Sequence, residues 1–215
     1  MTEIQSAPTT RRIAVLSAGL SQPSSTRLLA DRLTDATVQR LAESGIDASV
    51  DVVELRDVAQ DVTNNLLTGF PSPKLARAID AVTGADGLIA VTPIFTTSYS
   101  GLFKSFVDVL DPQSITDLPV LIAATGGTSR HSLALDYAMR PLFSYLHAIV
   151  VPTAVYAASS DWGTGADGGS ALPDRIARAA SELAALVAAS DRSANVRDPF
   201  QLDASFSPVG AYGAQ

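Results

Sequence analysis

A chain of 215 residues, 47% of them hydrophobic, suits a single α/β domain with a sizeable core. The absence of cysteine excludes disulfides, thiolate nucleophiles, iron–sulfur clusters and sulfur-ligated zinc, so redox chemistry would have to come from a bound cofactor. A formal charge of −7, with Lys74 and Lys104 the two lysines and no clustered arginines, argues against nucleic acid or an anionic membrane surface as a partner.

No stretch of about 18 apolar residues suggests a membrane span. Met1 to Thr10 is polar rather than basic then apolar, so no secretory signal is read and a cytoplasmic location is expected. Residues 1–11 are expected to be disordered, 12–190 to form the domain, and 191–215, polar with two prolines and two glycines, to form an irregular tail.

In chain order, Arg12 to Ser17 reads as a strand entering a Gly/Ser/Pro loop, and Ser25 to Glu43 as a helix with Leu28, Leu29, Leu33, Val38 and Leu41 at near-helical spacing. Ala48 to Leu55 alternates and is valine-rich, as a strand would be. Arg56 to Phe70 is ambiguous, and Ser72 to Val82 reads as a helix introduced by Pro71 and Pro73. Three further apolar runs follow at Gly87 to Val91, Pro119 to Ala124 and Ile149 to Tyr156. The helical patterns among them are Tyr99 to Leu110, Leu133 to His147 and Leu172 to Ala189. Strands apolar on both faces, alternating with helices, predict a five-stranded parallel sheet covered on both sides.

Ligands of such sheets bind beyond the carboxyl ends of the strands, which directs attention to the loops after strands 1, 3 and 4. The first, Ser17 to Arg27, offers hydroxyls and a glycine just before a helix whose unpaired N–H groups favour a phosphate. Helix capping by Ser24 or Ser25 is the alternative reading. Neither a P-loop nor a dinucleotide fingerprint is present in it. The second, Thr92 to Lys104, combines hydroxyls, backbone amides and Phe95 in a way that suits a planar heteroaromatic ring. Its plainer reading makes Pro93 a strand terminator, Ser98 a helix cap, and Lys104 and Asp108 a solvated ion pair. The third, Thr125 to His131, begins with paired glycines that let a ligand approach backbone donors.

Taken together, Ser-x-x-x-Ser-x-Pro-Ser-x-Thr from Ser17, Thr-Pro-x-Phe-x-x-Ser-Tyr-Ser-Gly-x-x-Lys from Thr92 and Thr-Gly-Gly-x-x-Arg-His from Thr125 resemble the NADPH-dependent FMN reductase family. The resemblance runs from about Arg12 to Ala189. It is strongest to the branch that supplies reduced FMN to luciferase-like monooxygenases. It implies a flavodoxin-like three-layer fold with strand order 2-1-3-4-5, FMN as cofactor, and NADPH or NADH as co-substrate. Ser17, Ser24, Ser25 and Thr26 would then hold the phosphate. Pro93, Ile94, Phe95, Thr96, Thr97 and Ser98 would bracket the isoalloxazine, Thr125, Gly126 and Gly127 would meet the pyrimidine edge, and Arg130 and His131 would line the rim. A homodimer or homotetramer, with Trp162 as a possible contact, and a flavin-dependent monooxygenase as recipient are also implied.

Hydride transfer between stacked rings needs positioning rather than an acid–base pair, so no catalytic side chain is expected. Two departures, Gln22-Pro23 in the first loop and Pro93-Ile94-Phe95-Thr96 in the second, set the quinone- and azo-reductase branches further off; these, and a non-catalytic electron-transfer protein, are the alternatives. A hydrolase is disfavoured because His131 stands where a nucleophile elbow needs glycine. Gly163 to Gly168 matches G-x-G-x-x-G but follows the last strand, and reads as a loop. Two histidines, His131 and His147, are too few for a metal site without cysteine.

Overall fold

The computed structural model describes residues 10–162, 171–190 and 192. Five parallel positions form the sheet, in the order β2 (Asp47–Glu54), β1 (Thr10–Ser17), β3 (Gly87–Phe95), β5 (Pro119–Gly126) and a divided last strand, β6 (Ile149–Val150) and β7 (Val155–Ala158). This is the flavodoxin-like arrangement expected from the sequence. Strand β1 begins at Thr10, two residues before the expected boundary. The tail from 193 on and the Gly163 to Gly168 motif lie outside the described residues.

Alternation along each central strand builds two cores. Ile13, Val15, Ile89, Val91, Leu121 and Ala123 face α1 (Ser25–Glu43) and α6 (Ala171–Ala189), whereas Ala14, Leu16, Leu88, Ala90 and Ile122 face the opposite layer. That layer contains α2 (Ala59–Thr68), α3 (Pro73–Thr83), α4 (Gly101–Val107) and α5 (Arg140–Tyr145). Complete burial on both faces is why these strands read as unbroken apolar runs.

Several boundaries depart from the sequence reading, each for a local reason. The ambiguous stretch after β2 forms a 3₁₀ turn over Leu55–Val58 and then α2, which Gly69 ends at φ 78°. Pro93 does not stop β3, which runs on to Phe95 and turns back into β4 (Ser98–Tyr99). Ser98 therefore pairs with Phe95 in a hairpin, and Ser100 caps α4 by accepting from Phe103 N–H at 3.2 Å.

The helix expected over Leu133 to His147 is broken. Pro141 has no N–H to continue an α-helical ladder, and the chain passes through a π-helical turn, Leu135–Met139, in which Arg140 N–H reaches Leu135 O, before α5 begins. The last strand is split at Pro152: five steps from Val150 to Val155 match three on β5, from Val120 to Ala123. Glu182 of α6 takes up the hydrogen bonds freed there, accepting from Thr153 N–H and Oγ1, both at 2.7 Å.

Among the described residues no helix is long and apolar enough to cross a membrane, and no group of three potential metal ligands occurs.

Candidate active site

The carboxyl ends of β1, β3, β5 and β7 open into one cleft of about 410 Å³, within the range of small-molecule sites. Its first wall is the β1–α1 turn, contributing Gly19, Leu20, Ser21, Ser24, Ser25 and Thr26. Ser24 is the N-cap of α1, its Oγ accepting from Arg27 N–H at 3.2 Å. The first intrahelical bond at this end is Leu28 N–H to Ser24 O, so the amides of Ser25 and Thr26 precede it, at the positive end of a 19-residue helix. A Cβ on Gly19 would lie 2.1 Å from Ser24 Oγ, so this turn requires glycine for the cap to form.

The second wall is the β3–β4 hairpin, with Pro93, Ile94 and the half-exposed Phe95. Thr92 Oγ1 accepts from Ser100 N–H at 3.0 Å and donates to Pro93 O, bracing the hairpin base, and Tyr99 packs on buried Phe103 with ring centroids 5.9 Å apart. At the tip, Thr96 and Thr97 adopt φ of 48° and 73°. Such left-handed geometry is rare for β-branched residues and stores about 1–3 kcal/mol at each. A hairpin of this kind was invisible in the sequence because its turn lacks the usual Asn-Gly signal.

The floor is the end of β5, Thr125, Gly126 and Gly127. Thr125 Oγ1 and Thr26 Oγ1 lie 2.8 Å apart in a buried hydrogen bond that ties β5 to α1. Tyr156 of β7 donates its hydroxyl to Thr128 O at 2.8 Å, fixing the path of the loop past the glycines. Burial, reinforced by Asp161, pushes the Tyr156 pKa up, so the phenol remains a donor.

Nine of the residues singled out from the sequence thus meet in the cleft: Ser24, Ser25, Thr26, Pro93, Ile94, Phe95, Thr125, Gly126 and Gly127. Six do not line it. Ser17 is fully buried at the end of β1, with no partner for its hydroxyl. Thr96, Thr97 and Ser98 occupy the hairpin beyond it, and Arg130 and His131 lie on the following 3₁₀ turn. Lys104 and Asp108 form the solvated pair read as their plainer role, with one contact at 2.7 Å. The lining adds Gly19, Leu20, Ser21, Ser159 and Trp162. The last two follow the fifth strand, in a loop that ends at the same sheet edge and whose Trp162 the family resemblance assigns to an oligomer contact.

The donor set fits a phosphorylated flavin. One end offers free amides and hydroxyls, the other an apolar wall, with a backbone floor between them. Among the described residues no carboxylate lines the cleft to repel an anion. Nearby charges are matched: Asp31 and Glu54 hold Arg27 at 2.7 and 2.6 Å, Asp31 being the larger influence raising its pKa.

Comparisons with known proteins agree with this chemistry. The family model described as NADPH-dependent FMN reductase matches residues 11–163. An FMN reductase (NADPH) of Pseudomonas aeruginosa is 37% identical over 70% of this chain and 78% of its own length. The NADH-dependent FMN reductase SfnE of Pseudomonas putida is 35% identical over 82% of this chain and 92% of its own. An oxidoreductase of Corynebacterium diphtheriae of known structure superposes with a TM-score of 0.81 at 46% identity, covering 84% of this chain and 98% of the other. The chain belongs to the NADPH-dependent FMN reductase family and is an NAD(P)H:FMN oxidoreductase.

Proposed function

We propose that FMN is held in this cleft, is reduced by NADPH or NADH, and passes in reduced form to a flavin-dependent monooxygenase of luciferase-like type. The observation that carries the binding mode is the cleft's polarity, with the amino end of α1 at one extremity and Pro93, Ile94 and Phe95 at the other. Ser24, Ser25 and Thr26 would hold the phosphate, the hairpin would cover one side of the ring, and Thr125 to Gly127 would meet its pyrimidine edge. Bound flavin supplies the two-electron carrier; the chain's own residues orient it and shield it from water. The monooxygenase recipient is supported by the three-loop resemblance. Exposed Leu66, Leu67, Phe70, Tyr137 and Tyr145 support a homo-oligomer.

The test is oxidation of NADPH and of NADH with FMN, FAD and riboflavin supplied in turn. Rapid turnover that requires FMN is expected; turnover with a quinone but not with FMN would overturn the proposal. Ser24→Ala combined with Thr26→Ala should weaken FMN binding, by about 30-fold if each lost group contributes near 1 kcal/mol, while circular dichroism stays native. FMN titration checks it, and an unchanged affinity removes the phosphate assignment.

A further inference from the structure

A phosphate carries up to two negative charges, yet among the described residues no lysine, arginine or histidine lines the cleft. The cations nearest in sequence are already engaged. Arg27 is bound to Asp31 and Glu54, and Arg56 lies between Glu54 and Asp57. Arg40, farther along α1, is paired with Glu43. Arg32 differs: among the described residues it has no carboxylate partner, and its guanidinium instead lies over the Trp162 ring, 5.0 Å from the centroid. Arg32 is seven residues after Ser25, two turns along the same face of α1.

The residue before Trp162 is anchored on both sides. The preceding Asp161 accepts from Ala158 N–H at 2.7 Å and from Arg175 Nη2 at 3.1 Å, while Arg175 Nη1 donates to Tyr156 O at 2.7 Å. The carboxylate beside the indole is therefore neutralised by Arg175, which leaves the Arg32 charge uncompensated at that wall. The ring itself lines the cleft.

We propose that Trp162, braced by Arg32, is a binding residue for the phosphate end of the flavin, and that Arg32 supplies through this contact the positive charge the lining lacks. The inference rests on the cleft being the FMN site. It assigns to the pair a preference for phosphorylated over unphosphorylated flavin. A cation stacked on the ring also makes the indole N–H a better hydrogen-bond donor toward an anion.

Trp162 is the single tryptophan of the chain, so its fluorescence reports on the site directly. FMN added to flavin-free protein should quench it. Arg32→Gln should weaken FMN binding by about three- to tenfold, the scale of one partly screened charge, and leave riboflavin binding unchanged; rising salt should weaken FMN binding more in the wild type than in the variant. Trp162→Phe, which keeps an aromatic wall, should also weaken FMN binding, read from flavin fluorescence. An equal loss for FMN and riboflavin in Arg32→Gln, or no loss in either variant, overturns the inference. Ser25→Asp, which places a negative charge at the amino end of α1, separates the two readings. FMN uptake lost in Ser25→Asp but indifferent to Arg32→Gln and Trp162→Phe overturns this inference alone, whereas uptake indifferent to all three overturns the cleft assignment as well.

Discussion

Gly126→Ala is expected to lower FMN affinity and turnover by at least about fivefold, because overpacking a site of this kind costs about 1–3 kcal/mol and the strain falls on the cleft floor. The added Cβ would stand 2.0 Å from Tyr156 Oη and 3.1 Å from its Cζ. A flexible surface side chain would move aside, but Tyr156 is 4% exposed and its hydroxyl is committed to Thr128 O. Relief therefore requires breaking that bond or pushing Gly126 and Gly127 into the cleft. Tyr156→Phe in the same chain removes the closer of the two clashing atoms, so the double variant should recover part of the FMN affinity. FMN titrations of the single and double variants decide this. A Gly126→Ala protein with native affinity would show that the floor does not meet the ligand.

How much of this could be read from the sequence depended on whether one segment carried its own explanation. Strands β1, β3 and β5 were legible because burial on both faces writes a continuous apolar run. Helix α1 was legible because a serine cap precedes a clean apolar stripe. The three loops that build most of the cleft were found because strand order dictates where ligands bind, whatever the loops contain. What was missed depends on partners distant in sequence. Pro93 looked like a terminator, yet β3 continues past it because Pro93 pairs with Thr125 and Ile94 pairs with Tyr99. The π-helical turn before Pro141 has the same apolar periodicity as a plain helix. Trp162 reads as an oligomer contact until the fold brings it beside Arg32, 130 positions away along the chain.

Arg192→Ala is expected to destabilise the protein by about 2–3 kcal/mol, a drop of roughly 5–10 °C in the unfolding midpoint, while FMN affinity is unchanged. By composition Arg192 belongs to the polar tail, but its guanidinium is inserted at the amino-terminal edge of the sheet. It donates to Thr83 O at 2.7 Å, Ala85 O at 2.8 Å and Thr116 O at 3.2 Å, and also to Ser114 O. Those carbonyls close the segments that lead into β3 and β5, so one side chain pins the starts of two central strands. Burial lowers its pKa and the nearby Asp86 and Asp117 oppose that shift, but a guanidinium stays charged throughout the working range. Asp86, 1% exposed and accepting Arg12 N–H at 2.8 Å, has an Oδ1 with no hydrogen-bond partner and relies on surrounding cations such as Arg11 and Arg192. Truncating Arg192 therefore removes several charge-assisted bonds and also weakens the support of a buried carboxylate. Arg192→Lys should restore only part of the loss, since an ammonium presents three donors from a point and cannot span four carbonyls. Thermal melts measure the first effect and flavin titration the second. The cleft lies at the opposite edge of the same strands, so a loss of FMN affinity in Arg192→Ala would mean that strain at the base of β3 and β5 reaches their carboxyl ends.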